Sequence, residues 1–106
     1  MKDTNKLGPF VKIMHALSDI QRLLILSLLE NKIMCVSELR ETMNLRQSDV
    51  SKHLKILRDA RLVLTYKRGL RVYYYVADGK YVPHEFLNRL KQVTEEYAHE
   101  QYFKTL

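Results

Sequence analysis

Cysteine is almost absent from the chain, since Cys35 is the only one in 106 residues. A single thiol excludes an intrachain disulfide, and with it a redox sensor that closes one within the chain. Only three glycines are present, too few for the glycine-rich loops that cradle phosphates or dinucleotides. No nucleophile with a neighbouring base stands out, so we expect that the protein is not an enzyme.

Long hydrophobic runs are missing as well. The longest apolar stretch, residues 23–29, is interrupted by Ser27 and is far shorter than the roughly 20 residues that a membrane span needs. No N-terminal segment combines a charged start, an apolar run and a small-residue cleavage site. We therefore expect a cytoplasmic protein without a membrane role, and the length suits a single domain over residues 1–106.

Acidic residues are scarce in one part of the chain. The formal net charge is +6, and the segments 1–45 and 72–106 are each nearly balanced. Residues 46–71 hold two acidic residues and eight basic ones, namely Arg46, Lys52, Lys55, Arg58, Arg61, Lys67, Arg68 and Arg71. Because this segment carries the whole positive excess, the charge favours a polyanionic partner.

Helical periodicity dominates the first third of the chain. An amphipathic helix is predicted to begin near Pro9. A second helix, apolar on most of its faces, is predicted over residues 19–30, with Ser18 and Gln21 as its capping box. The apolar stripe of the first helix needs a cover, which a partner subunit could provide.

Two short helices joined by a tight link follow. Ser37 is placed to cap a helix over residues 38–43, and Asn44 suits the left-handed residue that ends it. After two further residues, another helix is predicted over residues 47–60. This arrangement is typical of a helix-turn-helix.

A hairpin and a long helix complete the predicted order. β-branched and aromatic residues at 62–67 and 71–76 flank a turn that contains Gly69, which indicates a β-hairpin. A last helix is predicted from Pro83 to near the C-terminus. The fold class is therefore mainly α with one β-hairpin, a winged helix-turn-helix with about five helices.

The helix over residues 47–60 has two unlike faces. Val50, Leu54 and Leu57 share one side, and small hydroxyls and lysines lie roughly opposite. Hydroxyls let a helix approach base edges, and basic side chains at the helix and hairpin tip meet phosphates or the minor groove. The predicted DNA-binding residues are Arg46, Gln47, Ser48, Ser51, Lys52, Lys55, Lys67, Arg68 and Arg71.

Several motifs in this order resemble the ArsR/SmtB family of winged helix-turn-helix repressors. They are ALSD at 16–19, RLLIL at 22–26, CVSEL at 35–39, QSDVSKHLKILRDA at 47–60, LV at 62–63 and VYY at 72–74. The resemblance implies a repressor of transcription that is relieved by an inducer, commonly a metal or metalloid ion. It also implies a homodimer formed through helices at both chain ends.

Apolar stripes on the terminal helices indicate which residues would form that dimer. The expected interface consists of Phe10, Ile13, Met14, Phe86, Leu90, Val93 and Tyr97. The expected partners are thus a second copy of the chain and double-stranded DNA. A two-fold dimer should read an operator with an inverted repeat.

The sequence departs from the family's metal-binding motifs at two places. Relatives that sense soft metals resemble Cys-Val-Cys-Asp-Leu where this chain has CVSEL at 35–39, so the second thiol is missing and Cys35 is expected to be structural. The C-terminal motif retains only His99. We therefore expect no cofactor, with a metal or metalloid ion bound through Cys35 or His99 as the alternative.

Three further residues bear on these expectations. His15 and His53 sit beside apolar stripes and are expected to be structural. Arg46 stands where relatives usually have Ser or Thr as helix cap and has no acceptor oxygen, so it is free to reach a phosphate. A winged helix used for protein contacts is the remaining alternative, and it would not need the charge of residues 46–71.

Overall fold

The computed structural model describes the backbone of residues 3–77 and 84–101 and confirms the predicted winged helix-turn-helix. Within these ranges it contains five helices and a small three-stranded sheet. In chain order they are α1 (Asp3–Leu17), α2 (Ile20–Asn31), β1 (Met34–Cys35), α3 (Val36–Met43), α4 (Gln47–Asp59), β2 (Val63–Arg68), β3 (Arg71–Val76) and α5 (His84–Gln101).

The hydrophobic core lies where α1, α2, α3 and α4 meet the base of the hairpin. Its largest fully buried side chains are Ile13, Ile25, Leu26, Leu39, Met43, Leu54, Leu57, Val50 and Val63. Ile13 is only 1% exposed, so the expectation that it lines a dimer interface is wrong. The residue faces the core of its own subunit, while Leu7, Phe10, Val11 and Met14 on the adjoining side of α1 stay exposed.

The first helix starts earlier than its proline suggested. It begins at Asp3, with Pro9 inside it, whereas the sequence pattern placed the start near Pro9. A proline removes one backbone hydrogen bond but need not end a helix. The buried residues Ile13 and Ala16 lie beyond the proline, so packing anchors the C-terminal half of α1.

The cap of α2 differs from the predicted capping box. Asp19 is the N-cap, and its carboxylate accepts hydrogen bonds from the backbone N–H groups of Gln21 at 2.8 Å and Arg22 at 3.2 Å. Ser18 instead donates its hydroxyl to the carbonyl oxygen of His15 at 2.7 Å. Ser18 therefore closes the end of α1, and the next residue opens α2.

The cap of α3 also differs from the prediction, because its N-cap is Cys35 and not Ser37. The side chain of Glu38 accepts a hydrogen bond from the Cys35 backbone N–H at 3.1 Å. Met34 and Cys35 form the short strand β1, which pairs with Tyr74 and Tyr73 of β3. Sequence periodicity missed this strand because two residues are too few to show an alternation.

Residues in the left-handed conformation end both helices of the helix-turn-helix. Asn44 adopts φ 53° and ψ 49°, which confirms the prediction for the end of α3. At the end of α4, Arg61 has φ 60°, and the N–H groups of Arg61 and Leu62 bond to the carbonyls of Arg58 and Leu57. This pattern is a Schellman motif with arginine in place of the usual glycine.

The hairpin closes with a two-residue turn. Arg68 and Arg71 are paired across β2 and β3, so Gly69 and Leu70 alone form the turn. Gly69 has φ +64° with no atom near the position of a Cβ, so glycine is needed for its backbone conformation. A glycine with positive φ at the first turn position is typical of a type II′ hairpin.

The last helix lies against α2. The amide nitrogen of Asn31 donates to the carboxylate of Glu95 at 2.9 Å. Within the described residues α5 begins at His84, and Pro83, the predicted start, lies outside them. The side chains of Phe86, Tyr97 and His99 lie outside the described residues too. Leu90 is half-buried and Val93 exposed.

The cap assignment for α2 leads to a first prediction. Asp19→Ala should lower the free energy of unfolding by about 1 kcal/mol, because the first turn of α2 loses its acceptor. Ser18→Ala is the matched control and should change the free energy of unfolding by less than about 0.5 kcal/mol, since it removes one exposed hydrogen bond. Urea unfolding followed by circular dichroism measures both variants. A larger loss for Ser18→Ala would contradict the assignment.

Candidate nucleic-acid interface

The outer face of α4 carries most of the residues predicted to meet DNA. Val50, Leu54 and Leu57 are 0% exposed on its inner face. The predicted residues on its outer face, Gln47, Ser48, Ser51, Lys52 and Lys55, are all exposed. We refer to α4 as the recognition helix, since a small, polar and basic face of this kind suits the major groove.

Lys55 is already engaged on that outer face. Its ammonium group lies 3.1 Å from the carboxylate of Asp59, one helical turn further on. Both side chains are exposed, and an exposed pair of this spacing is worth only a few tenths of a kcal/mol. A phosphate can therefore replace Asp59 at little energetic cost.

The N-terminus of the recognition helix has no side-chain cap. Arg46 is the N-cap residue, and its side chain makes no capping hydrogen bond. Its guanidinium Nε instead lies 3.4 Å from a carboxylate oxygen of Asp49, and both side chains are largely exposed. An uncapped helix N-terminus beside an exposed arginine is a favourable place for a phosphate.

The wing, which consists of β2, β3 and the turn between them, carries the other predicted residues. Lys67, Arg68 and Arg71 are all exposed, and the direct pairing of Arg68 with Arg71 puts both at the tip. Leu70 in the turn is fully exposed. The tip therefore combines three cations with an apolar residue.

Aromatic pairing within the wing was missed by the sequence analysis. Tyr66 lies directly across from Tyr73, and their rings stack with centroids 5.4 Å apart. Tyr66 also approaches Tyr75, with centroids 6.2 Å apart. Cross-strand aromatic pairs stabilise a hairpin, so these tyrosines hold the basic tip on a stiff support. The spacing of the tyrosines was visible, but their register depended on the turn.

Comparison with known proteins agrees with this geometry. Residues 19–65, from the cap of α2 into the wing, match the family described as "Bacterial regulatory protein, arsR family". The chain is 43% identical to a transcriptional repressor SmtB homolog from Synechocystis over 64 residues, which are 60% of this chain and 48% of that protein. The match thus spans about half the length of the cyanobacterial protein.

Two other relatives are matched over most of their length. An uncharacterised HTH-type transcriptional regulator of Methanocaldococcus jannaschii is 39% identical over 65% of this chain and 79% of its own. The crystal structure of the transcriptional regulator HlyU from Vibrio vulnificus is 32% identical, with a TM-score of 0.66 over 91% of this chain and 96% of that one. The chain belongs to the ArsR/SmtB family. It is a DNA-binding transcriptional regulator.

A buried arginine in this ArsR/SmtB protein links three helices. Arg22 of α2 is 6% exposed, and its Nε donates to the carbonyl of Ala16 at 2.7 Å. One terminal nitrogen, Nη2, donates to the carbonyl of His15 at 3.0 Å. The other, Nη1, lies 3.2 Å from Nδ1 of His53 on the recognition helix. Sequence analysis missed this role, because the partners lie far apart along the chain.

The partners of His53 determine which ring nitrogen carries the proton. Arginine only donates hydrogen bonds, so Nδ1 of His53 must accept from Arg22. Nε2 lies 2.8 Å from the side-chain oxygen of Gln21 and therefore donates to it. The ring is thus held neutral with its hydrogen on Nε2. His53 has the structural role expected for it.

The surroundings of Cys35 also bear on the family's chemistry. Cys35 is buried, and its Sγ lies 3.2 Å from the hydroxyl oxygen of Ser37 and 4.0 Å from Nη1 of Arg71. A shallow pocket of about 180 Å³ opens here, lined by these residues together with Val36 and Val72. One thiol, one hydroxyl and a guanidinium cation do not fit a soft metal ion, which needs several thiolates or imidazoles.

Other metal and membrane features were sought over the same part of the chain. Among the described side chains, no three of His, Cys, Asp or Glu come together as ligands for a metal ion. The described helices include none that is long and apolar enough to cross a membrane.

The environment of His53 predicts how stability depends on pH. Burial lowers the pKa of His53 below its ordinary value of 6.5, and the positive charge of Arg22 lowers this pKa further, against the opposing effect of Asp19. Below pH 6.5 the unfolded chain therefore binds more protons than the folded one. The free energy of unfolding should fall as the pH drops from 6.5 to the lower pKa of the folded state, and then level off.

Two glutamine variants test this dependence. His53→Gln should remove part of the fall in the free energy of unfolding between pH 7 and pH 5, measured by urea unfolding. His15→Gln is the matched control, because the His15 side chain is exposed and only its backbone carbonyl joins the network. Identical pH dependence in wild type and His53→Gln would rule out the assignment.

Proposed function

We propose that this ArsR/SmtB protein is a homodimeric repressor that binds an inverted-repeat operator, with the recognition helix in the major groove and the wing against the adjacent backbone. One observation carries the proposal. All nine predicted DNA-binding residues are exposed, and they belong to the one segment that holds the whole positive excess. The name of the Synechocystis relative, a repressor, supports repression over activation.

The division of labour follows from the residue types. Gln47, Ser48 and Ser51 lie in the first turns of the recognition helix, the part that reads base edges in such motifs. Lys52 and the cations of the wing tip contact phosphates, which adds affinity without sequence preference. We infer no catalytic activity. Because operator DNA lies in the compartment that holds the chromosome, we also infer a cytoplasmic location.

The wing supplies a direct test of DNA binding. A duplex selected by the wild-type protein from a random-sequence pool serves as the operator probe. Arg68→Ala should weaken binding to this duplex and to unrelated DNA alike. The slope of log affinity against log salt should become shallower by about one, because one phosphate contact is lost.

Arg89→Ala on α5 is the matched control, since it removes the same charge from an exposed position outside the basic segment. It should leave the salt slope unchanged. An unchanged slope for Arg68→Ala with altered sequence preference would make Arg68 a base reader. If the pool yields no enriched sequence, sequence-specific binding itself is wrong.

The dimer would form through the terminal helices. Leu7, Val11 and Met14 project from one side of α1, with Val11 63% exposed, and Val93 on α5 is 60% exposed. Phe10 lies on the same side of α1. Exposed apolar stripes of this kind mark interaction surfaces, and a two-fold pairing would bury the stripe of each subunit against its copy. Half-sites should then be about one helical turn, roughly 34–36 Å, or a multiple apart.

A charged residue on this stripe tests the dimer. Val11→Glu combined with Met14→Glu should give a monomer at micromolar concentration in analytical ultracentrifugation, because burying two carboxylates is unfavourable. Affinity for the selected duplex should fall at least about a hundredfold, since two half-sites are no longer bound together. Ile33→Glu, an exposed apolar position in the link before β1, is the control. A wild-type monomer with full DNA affinity would refute the proposal.

The inducer is proposed not to be a metal held by Cys35. Cys35→Ser should lower the free energy of unfolding by about 1 kcal/mol, since the new hydroxyl is buried but has Ser37 as a partner. Operator binding should survive, and arsenite, zinc, cadmium or a mild oxidant should affect wild type and variant equally. If micromolar effector releases only the wild type from the duplex, Cys35 is a ligand. Its co-ligands would then come from the partner subunit, His15 or His99.

A further inference from the structure

The contacts of Arg22 join the end of one helix to the flank of another. Its guanidinium holds the last carbonyls of α1, at His15 and Ala16, through two hydrogen bonds. The same group donates to Nδ1 of His53 at 3.2 Å. Since α1 carries the stripe proposed to form the dimer, Arg22 is a physical link between that stripe and the recognition helix.

His53 occupies a particular place on the recognition helix. Steps of 100° per residue put it beside the buried stripe of Val50, Leu54 and Leu57, on the side away from Ser48 and Ser51. A change at His53 therefore alters how the helix is seated, while the residues that face outward remain in place on its surface.

We propose that the Arg22–His53 pair positions the recognition helix for DNA binding, and that uptake of a proton by His53 releases this hold. The proposal rests on the proposed function, because it concerns the same DNA-binding helix. Arg22 and His53 are positioning residues, since neither is assigned a contact with bases or phosphates.

The proton balance of the step follows from the hydrogen bonds. In the neutral ring, Nε2 donates to Gln21 and Nδ1 accepts from Arg22. The only free site for a proton from solvent is Nδ1, the atom that faces the guanidinium. Protonation turns this acceptor into a donor and places two positive groups at hydrogen-bond distance. The ring and the guanidinium must then separate, which loosens the contact between α2 and the recognition helix.

The charged groups around His53 act in both directions. Asp19, at the start of α2, and Asp49, on the recognition helix, favour the protonated ring. Arg22 and Lys52 disfavour it, and burial disfavours it more than either. Asp19 is 3.9 Å from Nη1 of Arg22, so it partly balances the charge of Arg22.

The test measures affinity of the full-length protein for the selected duplex by fluorescence anisotropy between pH 7.5 and pH 5.5 at fixed salt. Wild type and His15→Gln should lose about tenfold in affinity on acidification, which corresponds to a pKa of His53 about one lower in the DNA-bound protein. His53→Gln keeps an amide that can hydrogen-bond but not titrate. Its affinity should not fall over this range.

A second variant moves the response in a direction that a merely structural role does not explain. Gln21→Glu puts a carboxylate beside Nε2 of His53 and stabilises the protonated ring. The loss of affinity should therefore begin at higher pH than in wild type. Urea unfolding at pH 7.5 and pH 5.5 verifies that each variant is folded where affinity is measured.

Two outcomes would overturn the proposal. One is the same pH profile for wild type and His53→Gln. The other is an affinity that rises on acidification only when His53 is present, because the ring would then face a phosphate and not Arg22. ¹⁵N NMR of the ring nitrogens provides a readout without DNA, and should find the hydrogen of His53 on Nε2 at pH 7.5. Failure of every variant to bind any selected duplex, with this ring state intact, would contradict the proposed function and with it the role of the pair in DNA binding.

Discussion

The burial of one side of the recognition helix is the interaction on which the DNA-binding surface depends. Val50, Leu54 and Leu57 are completely enclosed, and each would lose contacts and apolar burial if the helix rotated. Because residues on a helix have fixed angular positions, the enclosure of these three also determines that Ser48, Ser51 and Lys52 face outward. The polar face is thus presented by packing on the opposite side.

Buried polar groups complete the seating of this helix. A guanidinium taken out of water must satisfy its donors, and Arg22 does so with two α1 carbonyls and a histidine ring. The carbonyls at a helix C-terminus lack partners within their own helix, so α1 and Arg22 satisfy each other. This is why a charged residue is tolerated beside an apolar core.

The wing solves a different problem, which is to hold several cations close together. Lys67, Arg68 and Arg71 repel one another, and an isolated two-stranded hairpin is only marginally stable in water. The stacked rings of Tyr66 and Tyr73 and the pairing of β3 with β1 supply the missing stability. Through β1 the wing also touches Cys35, so the position used for metals by some relatives of this family is here packed against Arg71.

Much of this architecture could be predicted from the sequence because it depends on neighbours in the chain. The faces of the recognition helix follow from a period of 3.6 residues, the hairpin from strand formers around Gly69, and the end of α3 from the tolerance of Asn44 for the left-handed conformation. The surplus of charge in residues 46–71 is a property of composition alone. None of these features needs knowledge of a distant contact.

Tertiary structure decided the features in which competing residues or distant partners are involved. Both Ser18 and Asp19 can cap a helix, and the path of the chain between α1 and α2 assigned the cap to Asp19. Ile13 and Met14 are adjacent apolar residues, yet only packing against other helices determines which one is enclosed. His53 lies 31 residues from Arg22, and no local pattern reveals that contact, because it exists only once α2 and the recognition helix have packed together.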